Sequence, residues 1–168
     1  LAQFSRLRED WQRLSQRAFG HRFMMDAVVP GGVAGDLSLS LREEQRRQCD
    51  EVEREVQRLR HVYDEHAGLQ DRFMGTGRVA PELAARLGLA GMAGRASGQA
   101  VDLRHDHAWQ PYRTLQAHTR PIHDGYVAAT AALHSHRLIE SLRLSREHCA
   151  RLPEGAIAAE VQLPDHAV

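Results

Sequence analysis

With 168 residues, a formal net charge of +0 and 42% hydrophobic against 26% charged positions, the chain has the makeup of one globular domain able to bury about 70% of its unfolded surface. No apolar run nears the roughly 18 residues of a membrane span and no secretory signal opens the chain, so the cytoplasm is the expected location. The arginines, spread from Arg6 to Arg151 without a basic block, favour neither nucleic acid nor anionic lipid, and the absence of lysine excludes a Schiff-base lysine and the lysine of a P-loop.

Phe4, Leu7, Trp11, Leu14 and Ala18 draw one apolar stripe, predicting a first helix that runs toward Val29 and is stopped by Pro30-Gly31-Gly32. Ser40 and Glu43 have the spacing of a capping box. They predict the start of a second helix with the stripe Leu41, Cys49, Val52, Val56, Leu59 and Tyr63, ending near Gly68. On it, Glu43 with Arg47 and Asp50 with Arg54 are placed for i,i+4 pairs worth about 0.2–0.5 kcal/mol each.

Between Leu69 and Pro121 the periodicity is irregular, apart from a short helix begun by Pro81 and ended by Gly88. Irregular chain of this length marks the region most apt to carry a functional surface. Asp124 is the expected N-cap of a last long helix through Val127, Ala131, Leu138, Leu142 and Cys149 to Leu152, ended by Pro153-Glu154-Gly155. The alternation of Ile157, Val161 and Leu163 predicts a strand whose partner lies outside the chain. The fold class that follows is mainly α: a bundle of two to three long helices with a glycine-rich loop region and little or no β, forming a single central domain over residues 1–168.

Candidate chemistry is sparse. Among 11 histidines, His105 with His107 and His134 with His136 stand two apart, which on a helix points them about 200° from each other, whereas helical metal ligands sit at i,i+4. No metal site is expected. Cys49 and Cys149 lack any C-x-x-C spacing, which excludes a zinc knuckle, an iron–sulfur ligand set and a redox dithiol. Each is read as a packing residue, with a disulfide between them disfavoured in a reducing compartment. Ser97 has neither a nucleophile elbow nor a base beside it. The acidic runs at Glu43-Glu44 and Glu51, Glu53 and Glu55 read as a solvated helix face, and Gly94 to Gly98 lacks the dinucleotide fingerprint. No catalytic residue is assigned. What remains is a polar cluster in a glycine-rich connection, Arg95, Ser97, Gly98, Asp102 and Arg104, in which a guanidinium can take the Asp102 carboxylate bidentately. Two readings stand open: a staple that holds the loop, or an Arg95 that projects into a cavity or interface of a larger protein.

Several words occur in a fixed order along the chain: His21-Arg22-Phe23, Pro30-Gly31-Gly32-Val33, Asp36-Leu37, Asp71-Arg72 with Gly75-Thr76-Gly77, Gly91 with Gly94-Arg95-Ala96-Ser97-Gly98, Asp102-Leu103-Arg104, Asp106-His107 with Tyr112, Asp124-Gly125-Tyr126 and Leu152-Pro153-Glu154-Gly155. Together they resemble the family shared by nickel–iron hydrogenase large subunits and the quinone-site subunit of respiratory complex I, with the membrane-bound formate-hydrogenlyase type matched slightly better. Val29 stands where complex I members usually carry arginine, and the Pro-Tyr pair is displaced to Pro111-Tyr112. The resemblance implies the central fragment of an oxidoreductase large subunit, inactive alone. Its parent complex would hold a nickel–iron centre, or would work with quinone and NADH. The implied partners are an iron–sulfur small subunit, the rest of the large subunit and, indirectly, a membrane arm; the implied place is a peripheral arm on the cytoplasmic membrane. The two C-x-x-C motifs that hold nickel and iron in hydrogenases do not occur here, so no cofactor or metal is expected on this chain itself. A leucine at position 1 suits an excised piece, and the reading of a different class is a stand-alone helical interaction module.

Overall fold

The computed structural model describes residues 2–161 and is mainly helical, with one two-residue hairpin as its sheet. In chain order the elements are α1 (Ala2–Phe19), β1 (Val28–Val29), β2 (Gly32–Val33), α2 (Leu39–Asp64), α3 (Ala67–Phe73), α4 (Pro81–Arg86), α5 (Gly91–Ala96), α6 (Leu103–Asp106), α7 (Tyr112–Leu115) and α8 (Val127–Ala150). They form two compact units, one made of Leu1–Gln48 with Cys149–Val168, the other of Cys49–His148. No helix of the described residues is long and apolar enough to cross a membrane.

In the first unit, α1 buries Leu14 and stops at Phe19, well short of Val29. Gly20 is the reason: at φ +75° it takes the left-handed position that closes a helix, and its N–H returns to the Gln16 carbonyl at 3.0 Å. The chain then turns irregularly, with Met24 and Asp26 at φ 55° and 59°, into the β1–β2 hairpin, where Val28 pairs with Val33 and Val29 with Gly32. The tail expected to seek a partner elsewhere finds it here. Val33 N–H donates to the Ile157 carbonyl and Ala159 N–H to the Gly31 carbonyl, both at 3.0 Å, with an antiparallel bridge between Gly32 and Ala158; Leu163 lies outside the described residues. This pairing dictates the glycines, because a Cβ on Gly31 or Gly32 would lie 2.2 Å from the Ala159 or Ile157 carbonyl oxygen. Beside the hairpin is an apolar groove of about 700 Å3 lined by Phe19, Phe23, Met24, Val28, Val33 and Leu152, among others.

The side chain that caps α2 lies two residues before the expected one. Ser38 accepts the Leu41 N–H at 3.3 Å, and Ser40 spends its hydroxyl on Ser38. The helix also ends early, at Asp64, because the Nδ1 of His66 accepts the Leu69 N–H at 3.2 Å and caps a new helix, α3.

In the second unit Cys49, Val52 and Val56 of α2 are buried, as the stripe requires. Asp50 is held at 2.9 Å by Arg146 of α8, which also pairs with Glu53, while Glu43, in the first unit, takes Arg46. A core cluster gathers Ala96, Ala129 and Leu133 with Met92, Ile122 and Tyr126, and a second gathers Leu115, Ala117 and Leu144 with Tyr112. Pro81 does open α4 and Gly88 follows it at φ +61°. The rest of the region expected to be irregular folds into α3, α5, α6 and α7, each of four to seven residues, too short for a period to show. Helix α8 begins at Val127, after Asp124, whose carboxylate accepts the Tyr126 hydroxyl at 3.2 Å. Its buried residues are Ala128, Ala129, Leu133, Leu142 and Leu144, so of the expected stripe only Leu142 is fully inside; a helix covered on more than one side buries alanines that periodicity ignores.

Candidate functional site

Three of the glycine-rich words meet in the second unit, and backbone hydrogen bonds knit them. Arg95 and Ile122 are joined by Ile122 N–H to the Arg95 carbonyl, and Gly98 N–H donates to the Ile122 carbonyl, both at 2.8 Å. Gly125 N–H donates to Ala96 at 2.8 Å, Val79 N–H to Gly125 at 2.8 Å, and Val127 N–H to Thr76 at 3.0 Å. The words Gly75-Thr76-Gly77, Gly94 to Gly98 and Asp124-Gly125-Tyr126 are thus successive stitches of one seam. Close approach explains the residue types: a Cβ on Gly125 would sit 2.0 Å from the Val79 carbonyl oxygen, and one on Gly94 2.4 Å from that of Leu89.

From this seam α5 projects Arg95 inward. Its residue is 5% exposed and Asp102 is 6% exposed. Arg95 Nη1 donates to the Val101 carbonyl at 3.0 Å and reaches Asp102 Oδ2 at 3.3 Å. The bidentate partner of Asp102 is Arg104, through Nε at 3.1 Å and Nη2 at 2.8 Å. Asp102 is at the same time the N-cap of α6, accepting the Arg104 N–H at 3.1 Å, while Asp106 reaches back to the Asp102 N–H at 2.9 Å. One carboxylate therefore fixes a helix start and two guanidiniums.

The electrostatics follow from these contacts. The Arg104 hydrogen bonds, and after them the charges of Arg104 and Arg95, hold the Asp102 carboxyl down at about 2 although burial opposes this. Arg104 is raised by the same bond. Arg95 moves the other way: burial, then the positive charge of Arg137, lower its pKa against the pull of Asp102. Arginine remains a cation under such shifts.

Of the expected cluster, the structure brings Arg95, Asp102 and Arg104 into contact. Ser97 is buried as the C-cap of α5, and Gly98 turns the chain at φ +83° against His123. It adds two residues that spacing does not reveal. Met92, one turn before Arg95, and Arg137 of α8 meet at the Met92 sulfur, 3.8 Å from Arg95 Nη2 and 3.0 Å from Arg137 Nη1. A methionine three residues before an arginine on a helix would be the signal, but periodicity does not show α5 itself. His105 and His107 lie exposed on and after α6, with His105 beside Asp106 at 3.1 Å. His134 is exposed and His136 half-buried on α8, its pKa lowered by burial. Among the described residues no three or more His, Cys, Asp or Glu side chains gather as metal ligands, and neither Cys49 nor Cys149 is in a disulfide.

The second unit is helical and built around an arginine-stapled, glycine-knit seam. The chain belongs to the family described as respiratory-chain NADH dehydrogenase, 49 Kd subunit, whose family model matches residues 1–166. Relatives include an NADH-quinone oxidoreductase subunit of Rhodospirillum rubrum, 29% identical over 157 residues that cover 90% of this chain and 39% of the relative. The corresponding NADH-quinone oxidoreductase subunit of Chloroherpeton thalassium is 28% identical over 84% of this chain and 32% of the relative. Formate hydrogenlyase subunit 5 of Escherichia coli is 33% identical over 113 residues, 67% of this chain and 20% of the relative. The fold is shared with a chain of the membrane-bound sulfane sulfur reductase, an archaeal respiratory membrane complex, at a TM-score of 0.85 and 21% identity over 94% of this chain and 43% of that one. The chain thus spans between a fifth and two fifths of these curated relatives.

Proposed function

We propose that this chain is the central scaffold of the large subunit of a hydrogenase-type oxidoreductase akin to formate hydrogenlyase, a frame around the place where electrons pass rather than the place itself. The observation that carries this is the seam: the family's words serve backbone close approach and the Asp102 staple, which are tasks of shape. A nickel–iron centre does not fit the donors at hand, because Cys49 is 0% exposed inside the second unit and burial pushes the Cys149 thiol up, away from the thiolate a metal needs. Thiolate ligands would come from other parts of the parent polypeptide, and no step is routed through this chain. Its contribution is position and electrostatics. The proposed partners are the remainder of the large subunit, an iron–sulfur small subunit and, through them, a membrane arm, in a peripheral arm on the cytoplasmic side, with no nucleic acid; alone, the chain is inactive.

A second reading is supported by the relatives named as NADH-quinone oxidoreductase subunits, which match over 84% and 90% of the chain: the parent would then reduce quinone with electrons from NADH. Reading the gene on both sides decides. C-x-x-C motifs flanking the segment support the hydrogenase, a histidine loop of the kind that meets the quinone headgroup in complex I relatives, without them, supports the quinone enzyme, and immediate start and stop codons refute both in favour of a stand-alone interaction module. Metal analysis of the purified chain gives the independent check, with no stoichiometric nickel or iron expected; either metal tightly bound would overturn the scaffold reading.

A further inference from the structure

Arg95 uses one edge of its guanidinium. Nη1 is spent on the Val101 carbonyl and Asp102. On the other edge Nη2 meets the Met92 sulfur at 3.8 Å, a weak acceptor, and Nε is buried with no hydrogen-bond partner among the described residues. The Nε–Nη2 edge is the one that offers two parallel N–H groups to a carboxylate or phosphate.

A second cation stands beside it. Arg137 of α8 places Nη1 3.0 Å from the same sulfur, and its charge is felt at Arg95. The acids nearby are committed: Asp102 to Arg104 and the start of α6, and Glu140 to Arg143 at 2.6 and 2.9 Å and to the His118 N–H at 2.8 Å. Of the three guanidiniums of Arg95, Arg104 and Arg137, Arg104 thus has the bidentate grip on Asp102 and also feels Glu140, while Arg95 keeps one Asp102 contact at 3.3 Å. Orphaned buried donors are rare in native interiors, and an uncompensated buried charge is costly. We propose that Arg95 and Arg137 form a receptor for a small oxoanion, taken side-on by the Nε–Nη2 edge of Arg95 with Arg137 completing its charge. The site is independent of which parent enzyme the chain belongs to.

The test is thermal unfolding of the 168-residue chain in sodium phosphate, sodium acetate and sodium chloride at matched ionic strength. Phosphate also stabilises proteins by exclusion from their surface, so Arg137→Gln is run beside the wild type to remove that general effect. At about ten times Kd the bound oxoanion raises the wild-type Tm by about 3–5 °C above the chloride value, and Arg137→Gln loses this increment. A larger shift with phosphate assigns a free tetrahedral anion; an equal or larger one with acetate assigns a carboxylate, such as an adjoining polypeptide supplies through Asp or Glu. Arg137→Glu places that carboxylate in the chain, so its Tm in chloride exceeds that of Arg137→Gln and no longer responds to either oxoanion. Identical responses of wild type and Arg137→Gln to all three salts overturn the proposal, as does an Arg137→Glu chain less stable than Arg137→Gln. Calorimetric titration of the wild type needs no variant, and the lack of saturable heat with both phosphate and acetate overturns it equally.

Discussion

Replacing Asp102 by asparagine keeps the shape of the side chain at the centre of the staple and removes its charge. In the native chain its carboxyl sits at about 2 against 3.8 for an ordinary aspartate, a preference for the ionised form equivalent to about 2 kcal/mol. The variant also strands Arg95, only 5% exposed, and removing one partner of a buried pair costs about 3–5 kcal/mol when nothing replaces it. Part of the Arg95 bonding, to the Val101 carbonyl, survives, so the expected loss at neutral pH is about 2–4 kcal/mol. The pH dependence has a definite sign. The folded pKa lies below the unfolded one, so this stability is present in full above the ordinary value of 3.8 and is lost as pH falls through about 2. Urea unfolding of wild type and Asp102→Asn, followed from neutral pH down to about pH 2, should show a gap that closes at the acid end, where the native residue too becomes uncharged. A gap below about 1 kcal/mol at neutral pH, or one unchanged across the acid range, would refute the staple.

Gly125→Ala drives a Cβ to 2.0 Å from the Val79 carbonyl oxygen at φ +69°, where backbone cannot yield, and should cost about 3 kcal/mol or more. Gly88→Ala, at φ +61° with open space around it, should cost about 1 kcal/mol; equal shifts of the two urea midpoints would contradict the seam. Cys49, fully buried, and Cys149, whose thiol burial pushes up, should both resist a thiol reagent in the native chain and react readily in denaturant. Rapid native labelling of Cys49 would show that its helix face is not packed.

How far sequence reasoning reaches depends on what kind of signal each element leaves. The long helices α1 and α2 announce themselves because an apolar stripe over many turns is hard to produce otherwise, whereas for α8 the expected stripe finds the helix but, Leu142 apart, not its buried residues. Their ends are less legible. Ser38 and Ser40 are equally good caps on paper, and only the path of the chain selects Ser38. Gly20 terminates α1 although Pro30 is the louder signal. Asp50 has Arg54 within reach along its own helix but takes Arg146 from another, as tertiary pairing routinely overrides local pairing. The short helices α5 to α7 are caps and turns more than helices, and their existence rests on contacts such as Asp102 with the Arg104 N–H. In the cluster, Arg95, Asp102 and Arg104 are visible because they are close in sequence; Met92 and Arg137 are not, because the bond between them spans 45 residues.

The bridge between Ala158 and the hairpin carries a consequence for biosynthesis. The residues of the Val28–Val33 hairpin are synthesised early, yet the segment that bonds to it, Ile157 to Ala159, emerges from the ribosome only after the whole of Cys49–His148 has been translated. The contiguous unit can condense as soon as it is out, whereas the split one must keep its glycine pair uncovered until Ile157 to Ala159 arrive, since long-range pairing is slow to close. A pause in translation past α8 would therefore expose the hairpin edge longest, which makes that interval the one in which a nascent-chain chaperone has most to protect.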